Sequence, residues 1–112
     1  LIIRGVNVFP SQIEEALLKV DGTAPHYMIE VDRPGNLDLV TVKVELRPEA
    51  FSDKMAQMQA LRERIGHEIY SVTGLHVNLE LAPPQTLERF QGKAQRVVDK
   101  RPKVEKGWGI SP

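Results

Sequence analysis

Two stretches of the chain alternate apolar and polar side chains in the manner of a half-buried strand. In the first, Tyr27, Ile29 and Val31 interleave with His26, Met28, Glu30 and Asp32; in the second, Val40, Val42, Val44 and Leu46 interleave with Thr41, Lys43 and Glu45. Arg33-Pro34-Gly35-Asn36 between them carries the turn formers that bring antiparallel neighbours together, so the pair predicts a hairpin. A third alternation, Leu75, Val77, Leu79 and Leu81 against His76, Asn78 and Glu80, predicts a strand halted by Pro83-Pro84.

Helical spacing appears twice. Ile13, Leu17 and Val20 follow Ser11-Gln12-Ile13-Glu14, whose Ser-x-x-Glu spacing is that of a capping box, and Asp21-Gly22 supplies a stop. Met58, Leu61, Ile65, Ile69 and Val72 form a longer stripe, capped by Ser52-Asp53 and ended by Thr73-Gly74. With Leu1-Ile2-Ile3 taken as a short first strand, the order is β-α-β-β-α-β. That predicts an α+β fold, a ferredoxin-like two-layer sandwich with both helices on one sheet face and a C-terminal extension over residues 85–101.

Composition narrows the class. A chain of 112 residues makes one domain. Cysteine is absent, which excludes disulfides and thiolate metal sites and is compatible with a reducing cytoplasm, the expected location. No apolar run approaches the roughly 18 residues of a membrane span, and no signal peptide is evident, so the chain reads as soluble. The net charge of zero hides an asymmetry: residues 1–84 hold 8 basic and 12 acidic side chains, residues 85–112 hold 7 and 3. A basic end of that kind favours an anionic ligand or is simply a solvated terminus. Residues 102–112 carry mixed charge, two glycines and two prolines and are expected to be flexible, with Trp108 either an anchor or exposed.

Candidate chemistry is sparse. His26, His67 and His76 lack metal-ligand spacing, so no metal site is predicted. Met55 and Met58 read as helix packing. No phosphate loop of the Gly-x-x-x-x-Gly-Lys-Ser/Thr type occurs, and no Ser-His-Asp or Cys-His set can be assembled. The strands lack the aromatic pairs of an RNA-binding sheet. Two motifs remain: Arg4-Gly5-Val6-Asn7 with Pro10-Ser11-Gln12-Ile13-Glu14 near one end, and Gly92-Lys93-Ala94-Gln95-Arg96 near the other.

Together these motifs, and the order of elements between them, resemble the small C-terminal domain of acyl-adenylate-forming enzymes, in particular the phenylacetate–coenzyme A ligase family. Phe90 and Gln91 depart from the small hydroxyl or acidic residues common before the glycine of that motif. The resemblance implies a lid domain over residues 1–101, cut from a longer chain whose larger N-terminal domain binds most of the ATP, Mg2+, coenzyme A and an aromatic carboxylic acid. It implies that Lys93 is the catalytic lysine of adenylate formation. Gly92 allows close backbone approach, and Arg4, Gly5, Val6 and Asn7 line the path of the coenzyme A thiol arm once the domain has rotated. Its partners are then its own N-terminal domain and the acid, with a homodimer left open and neither nucleic acid nor membrane expected. Such a domain alone does not catalyse the reaction. A regulatory, small-ligand-binding module of the ACT type shares the β-α-β-β-α-β order, and fold alone does not exclude it.

Overall fold

The alternating stretches become the two central strands of a four-stranded sheet in a computed structural model, which describes residues 2–87 and 96–102. In chain order the elements are β1 (Ile2–Ile3), β2 (Val6–Asn7), α1 (Pro10–Leu18), β3 (Thr23–Asp32), β4 (Leu39–Leu46), α2 (Met55–Thr73), β5 (Asn78–Ala82) and β6 (Val97–Asp99). β3 and β4 pair antiparallel with Ile29 opposite Val42 and Val31 opposite Val40, so both apolar sets share one face. Between Thr23 and Tyr27 the register slips. Pro25 lies in that stretch, and its missing N–H cannot serve a ladder.

Both helices pack on that apolar face. Ile13, Ala16 and Leu17 of α1, and Ile65 and Ile69 of α2, join Tyr27, Ile29, Val31, Val40, Val42 and Val44 in one core cluster. α2 carries the chain from β4 to the parallel strand β5, in register from Thr41–Asn78 to Glu45–Ala82. It ends at Gly74, whose φ of 76° and N–H bond to the Tyr70 carbonyl close the last turn. The opposite sheet face is polar: Lys43 reaches Glu30 at 2.9 Å, and Lys100 reaches the same carboxylate at 3.5 Å.

Four expectations change. Ile2–Ile3 is not a strand of the main sheet; it pairs with Val6–Asn7 in a separate two-stranded ribbon. The outer place beside β3 is taken instead by β6, which runs parallel to it with Ile29 opposite Val97 and Val31 opposite Asp99. The sheet order is therefore β5-β4-β3-β6, and the segment read as an extension supplies an edge strand of the main sheet. α1 also begins two residues early, since the Ser11 capping box places its first turn at Gln12. Phe9 is its N-cap, Pro10 opens the first turn, and the Gln12 side chain accepts the Phe9 N–H at 2.8 Å, so the reciprocal bond expected of Glu14 falls to Gln12. Strand β5 is shorter than the alternation suggested, although Leu75 is still buried in the core. Trp108 and residues 103–112 lie outside the described residues.

Candidate functional site

The N-terminal ribbon is held to the body by its ends: Ile3 and Val8 are buried in the core, while Val6 and Asn7 face outward. Its two-residue turn places both Arg4 (φ 51°) and Gly5 (φ 79°) in the left-handed region. Such a turn matches the twist of the strands it joins, and glycine adopts it freely. Arginine does not, so the first position must be held from outside. A Cβ on Gly5 would meet no atom within 4 Å, which makes backbone conformation, not crowding, the constraint there.

The holder is Asp38, just before β4 and only 6% exposed. Its Oδ2 accepts the Arg4 backbone N–H at 2.8 Å, and its carbonyl accepts Arg4 Nε at 2.9 Å. Oδ1 accepts Arg33 Nε at 2.8 Å, and Oδ2 also accepts an Arg101 N–H at 3.1 Å. The Arg4 amide bond, followed by that of Arg33, lowers the Asp38 carboxyl to about 2. Arg101 in turn donates to the Ile2 carbonyl at 2.7 Å and grips Asp99 at 3.0 and 2.8 Å. Its hydrogen bond holds the Asp99 carboxyl below the usual range.

Gly92 and Lys93 lie outside the described residues, but the chain on either side of them is well placed. Upstream, the buried Glu45 carboxylate accepts the backbone N–H of Gln85 at 2.7 Å and of Leu87 at 3.2 Å. Downstream, Arg96 bonds the Glu14 carboxylate of α1 at 3.1 Å and lies 4.9 Å above the Tyr27 ring. The Tyr27 hydroxyl is 3.4 Å from the same carboxylate, and burial raises its pKa. β6 then leads away from Arg96, and its run ends with the Lys100 N–H on the Val31 carbonyl. Arg96 and Arg101 thus flank β6 at its two ends.

The structure thus brings Arg4, Gly5, Val6 and Asn7 together on one ribbon, and places Arg96, four residues beyond Gly92, at the opposite end of β6 from Arg101. Asp38, Glu45 and Arg101 were not singled out from the sequence, and Glu14 was read there as a helix-capping residue and not as a partner of Arg96. Glu45 carries a signal in hindsight, as a carboxylate between Val44 and Leu46 in a run otherwise buried on alternate positions. Asp38 has none, since an aspartate after a Pro-Gly-Asn turn is ordinary turn chemistry. A cleft of about 340 Å³ opens beside Arg96, lined in part by Glu14, Leu18, Tyr27 and Arg47. Among the described residues no group of three His, Asp or Glu side chains is placed to hold a metal ion, and no helix is long and apolar enough to cross a membrane.

The four-stranded sheet backed by two helices, with its N-terminal glycine ribbon, is the fold of a C-terminal domain of AMP-binding enzymes. The chain belongs to the AMP-binding enzyme C-terminal domain family, whose model matches residues 5–101. It is 46% identical over 105 residues to the phenylacetate-coenzyme A ligase of Aromatoleum evansii, covering 92% of this chain and 24% of that protein. The chain therefore spans about a quarter of the length of the curated relatives it matches. A crystallised domain of phenylacetate-coenzyme A ligase from Bacteroides vulgatus superposes with a TM-score of 0.80 at 32% identity, covering 91% of this chain and 92% of that one. A 2-hydroxyisobutyryl-CoA ligase, solved with 2-HIB-AMP and CoA in the thioesterification state, gives 0.82 at 30% identity over 90% of this chain and 21% of its own.

Proposed function

We propose that this chain acts as the C-terminal lid domain, residues 1–101, of an AMP-forming acid–coenzyme A ligase, with phenylacetate or a similar aromatic acid as substrate. The observation that carries the reading is the likeness to phenylacetate-coenzyme A ligase across nine-tenths of the chain. The regulatory ACT-type alternative is not favoured, since it leaves the residues beyond β5 without a role and family membership accounts for them.

In the reaction so proposed, a carboxylate oxygen attacks the α-phosphorus of ATP and pyrophosphate leaves. The coenzyme A sulfur then attacks the carbonyl carbon of the acyl-adenylate and AMP leaves, the thiol proton passing to solvent or base. Lys93 serves the first step. Its ammonium is a compact charge on a flexible stem, suited to oxygens on which negative charge accumulates in the transition state. Gly92 lets the backbone approach that site, while the ribbon turn at Arg4, Gly5, Val6 and Asn7 serves the second step after a hinge rotation. The partner is a larger N-terminal domain of the same protein, which holds most of the ATP, the coenzyme A and the acid. Mg2+ would enter with ATP there; in this chain the carboxylates of Asp38, Glu45 and Glu30 are engaged by Arg33, a backbone N–H and Lys43.

Two features support the assignment of Lys93. The described residues on both sides of its segment are tied to the body, Gln85 and Leu87 by Glu45 upstream and Arg96 by Glu14 downstream. Residues 102–112 play no part in the proposal. In the full-length enzyme, Lys93→Ala is expected to slow pyrophosphate exchange by a factor of about 100–1,000. Thioester formation from supplied acyl-adenylate and coenzyme A should be spared. Exchange at the wild-type rate in a well-folded Lys93→Ala enzyme would sink the assignment.

A further inference from the structure

The geometry around Asp38 points to a positioning residue that the two motifs share. We propose that Asp38 holds the Arg4-Gly5 turn in its working conformation and, through Arg101, ties that turn to the strand that follows Gly92 and Lys93. The functional half of this inference rests on the role proposed above for the turn.

Three observations carry it. First, Arg4 occupies the left-handed region at φ 51°, which a non-glycine residue leaves unless something over-determines it. The only backbone donor inside the turn's first position, the Arg4 N–H, is taken by Asp38 Oδ2 at 2.8 Å, from 34 residues away. Second, the turn is held from its other side as well: Arg101 Nη1 donates to Ile2 O at 2.7 Å and to Asp38 Oδ2 at 3.1 Å. Third, Asp38 is buried while the turn it holds lies at the surface. A buried carboxylate with both oxygens engaged by Arg4, Arg33 and Arg101 is a rigid post, because rotating it would abandon charge-assisted bonds. None of these atoms needs to touch substrate. Asp38 acts by fixing where the turn presents Gly5 and Val6, and Arg101 makes that position depend on the register of β6.

The distinguishing experiment has two readouts. On the 112-residue chain, Asp38→Ala should speed amide exchange at Arg4 by about 10-fold or more, while Val42 and Val44 in the core strand stay within about two-fold. In the full-length ligase, the same variant should lower thioester formation from supplied acyl-adenylate and coenzyme A by about 10-fold or more. Pyrophosphate exchange should remain within about two-fold. Asp38→Asn, which keeps an oxygen able to accept the Arg4 N–H, should fall between wild type and Asp38→Ala on both readouts, and it stands in if the alanine variant does not fold. Unchanged Arg4 exchange in either folded variant overturns the inference. So does an equal loss in both half-reactions, which would mark a merely structural role, or an unimpaired thioester step despite a loosened turn. In that last case Gly5→Val decides what else falls: if it slows the thioester step, only the role of Asp38 is wrong; if it too has no effect, the role proposed for the turn is wrong as well.

Discussion

Replacing Glu45 with alanine should release the upstream base of the Gly-Lys segment without unfolding the sheet. Glu45 is 2% exposed, on the strand β4 that anchors the centre of the fold, and its two oxygens receive the Gln85 N–H at 2.7 Å and the Leu87 N–H at 3.2 Å. Hydrogen bonds to a charged group contribute about 1.5–3 kcal/mol each, and two that share one carboxylate are less than additive, so the local loss is about 2–4 kcal/mol. A tenfold change in equilibrium corresponds to about 1.4 kcal/mol, which converts this loss to a factor of roughly 30–1,000 in local opening. Amide exchange followed by NMR on the 112-residue chain reads it directly. Gln85 and Leu87 should exchange faster by that factor in Glu45→Ala, while Val42 and Val44 of the same strand stay near wild type. Glu45→Gln retains one neutral acceptor and should give a smaller acceleration, about 10-fold. If Gln85 and Leu87 keep wild-type protection in a folded Glu45→Ala chain, the carboxylate is not what holds residues 85–87 and the support it lends to the assignment of Lys93 is refuted.

Other expectations follow from particular contacts. Gly22→Ala should cost about 2–4 kcal/mol, because φ is 99° and the added Cβ would lie 2.7 Å from Ala50 Cβ; a urea midpoint close to wild type would contradict this. Arg96→Ala removes a partly buried ion pair to Glu14 and the stack over Tyr27, and should lower unfolding free energy by about 1–2 kcal/mol in denaturant titrations, with Arg96→Lys recovering only part. Acid should destabilise the chain in a defined window. Asp38, with its carboxyl lowered to about 2 chiefly by the Arg4 amide, binds protons more readily unfolded than folded, as do Glu30 beside Lys43 and Asp99 beside Arg101. Their contribution is therefore complete above the ordinary carboxylate range and lost as pH falls from about 4.5 towards 2. Urea midpoints measured across that window should drop in the wild type and drop less in Asp38→Asn.

Much of this fold was legible in the chain before any coordinates. Tyr27, Ile29 and Val31 against Val40, Val42 and Val44 became facing rows of one hairpin, Ile65 and Ile69 became the buried stripe of α2, and Gly74 closed that helix as expected. Each is a local pattern in which a repeat of two or of three to four residues has one geometric solution, and in which glycine marks a φ that other residues avoid. Gly5 marks the turn of the N-terminal ribbon for the same reason, at φ 79°.

Only the tertiary structure decided which elements share a sheet and which charges meet. Ile2–Ile3 and Val97–Asp99 are short apolar-containing strands of two and three residues, and nothing in either says that the second, not the first, takes the edge beside β3. That choice follows from packing over the whole body, since a parallel partner can come from anywhere along the chain. The same holds for Asp38, Glu45 and Arg101. Their partners lie 34, 42 and 63 residues away, and an isolated carboxylate or guanidinium carries no periodicity that could announce them. Hydrophobic pattern is written residue by residue, whereas the burial that turns a surface charge into a fixed post exists only once distant segments have closed over it.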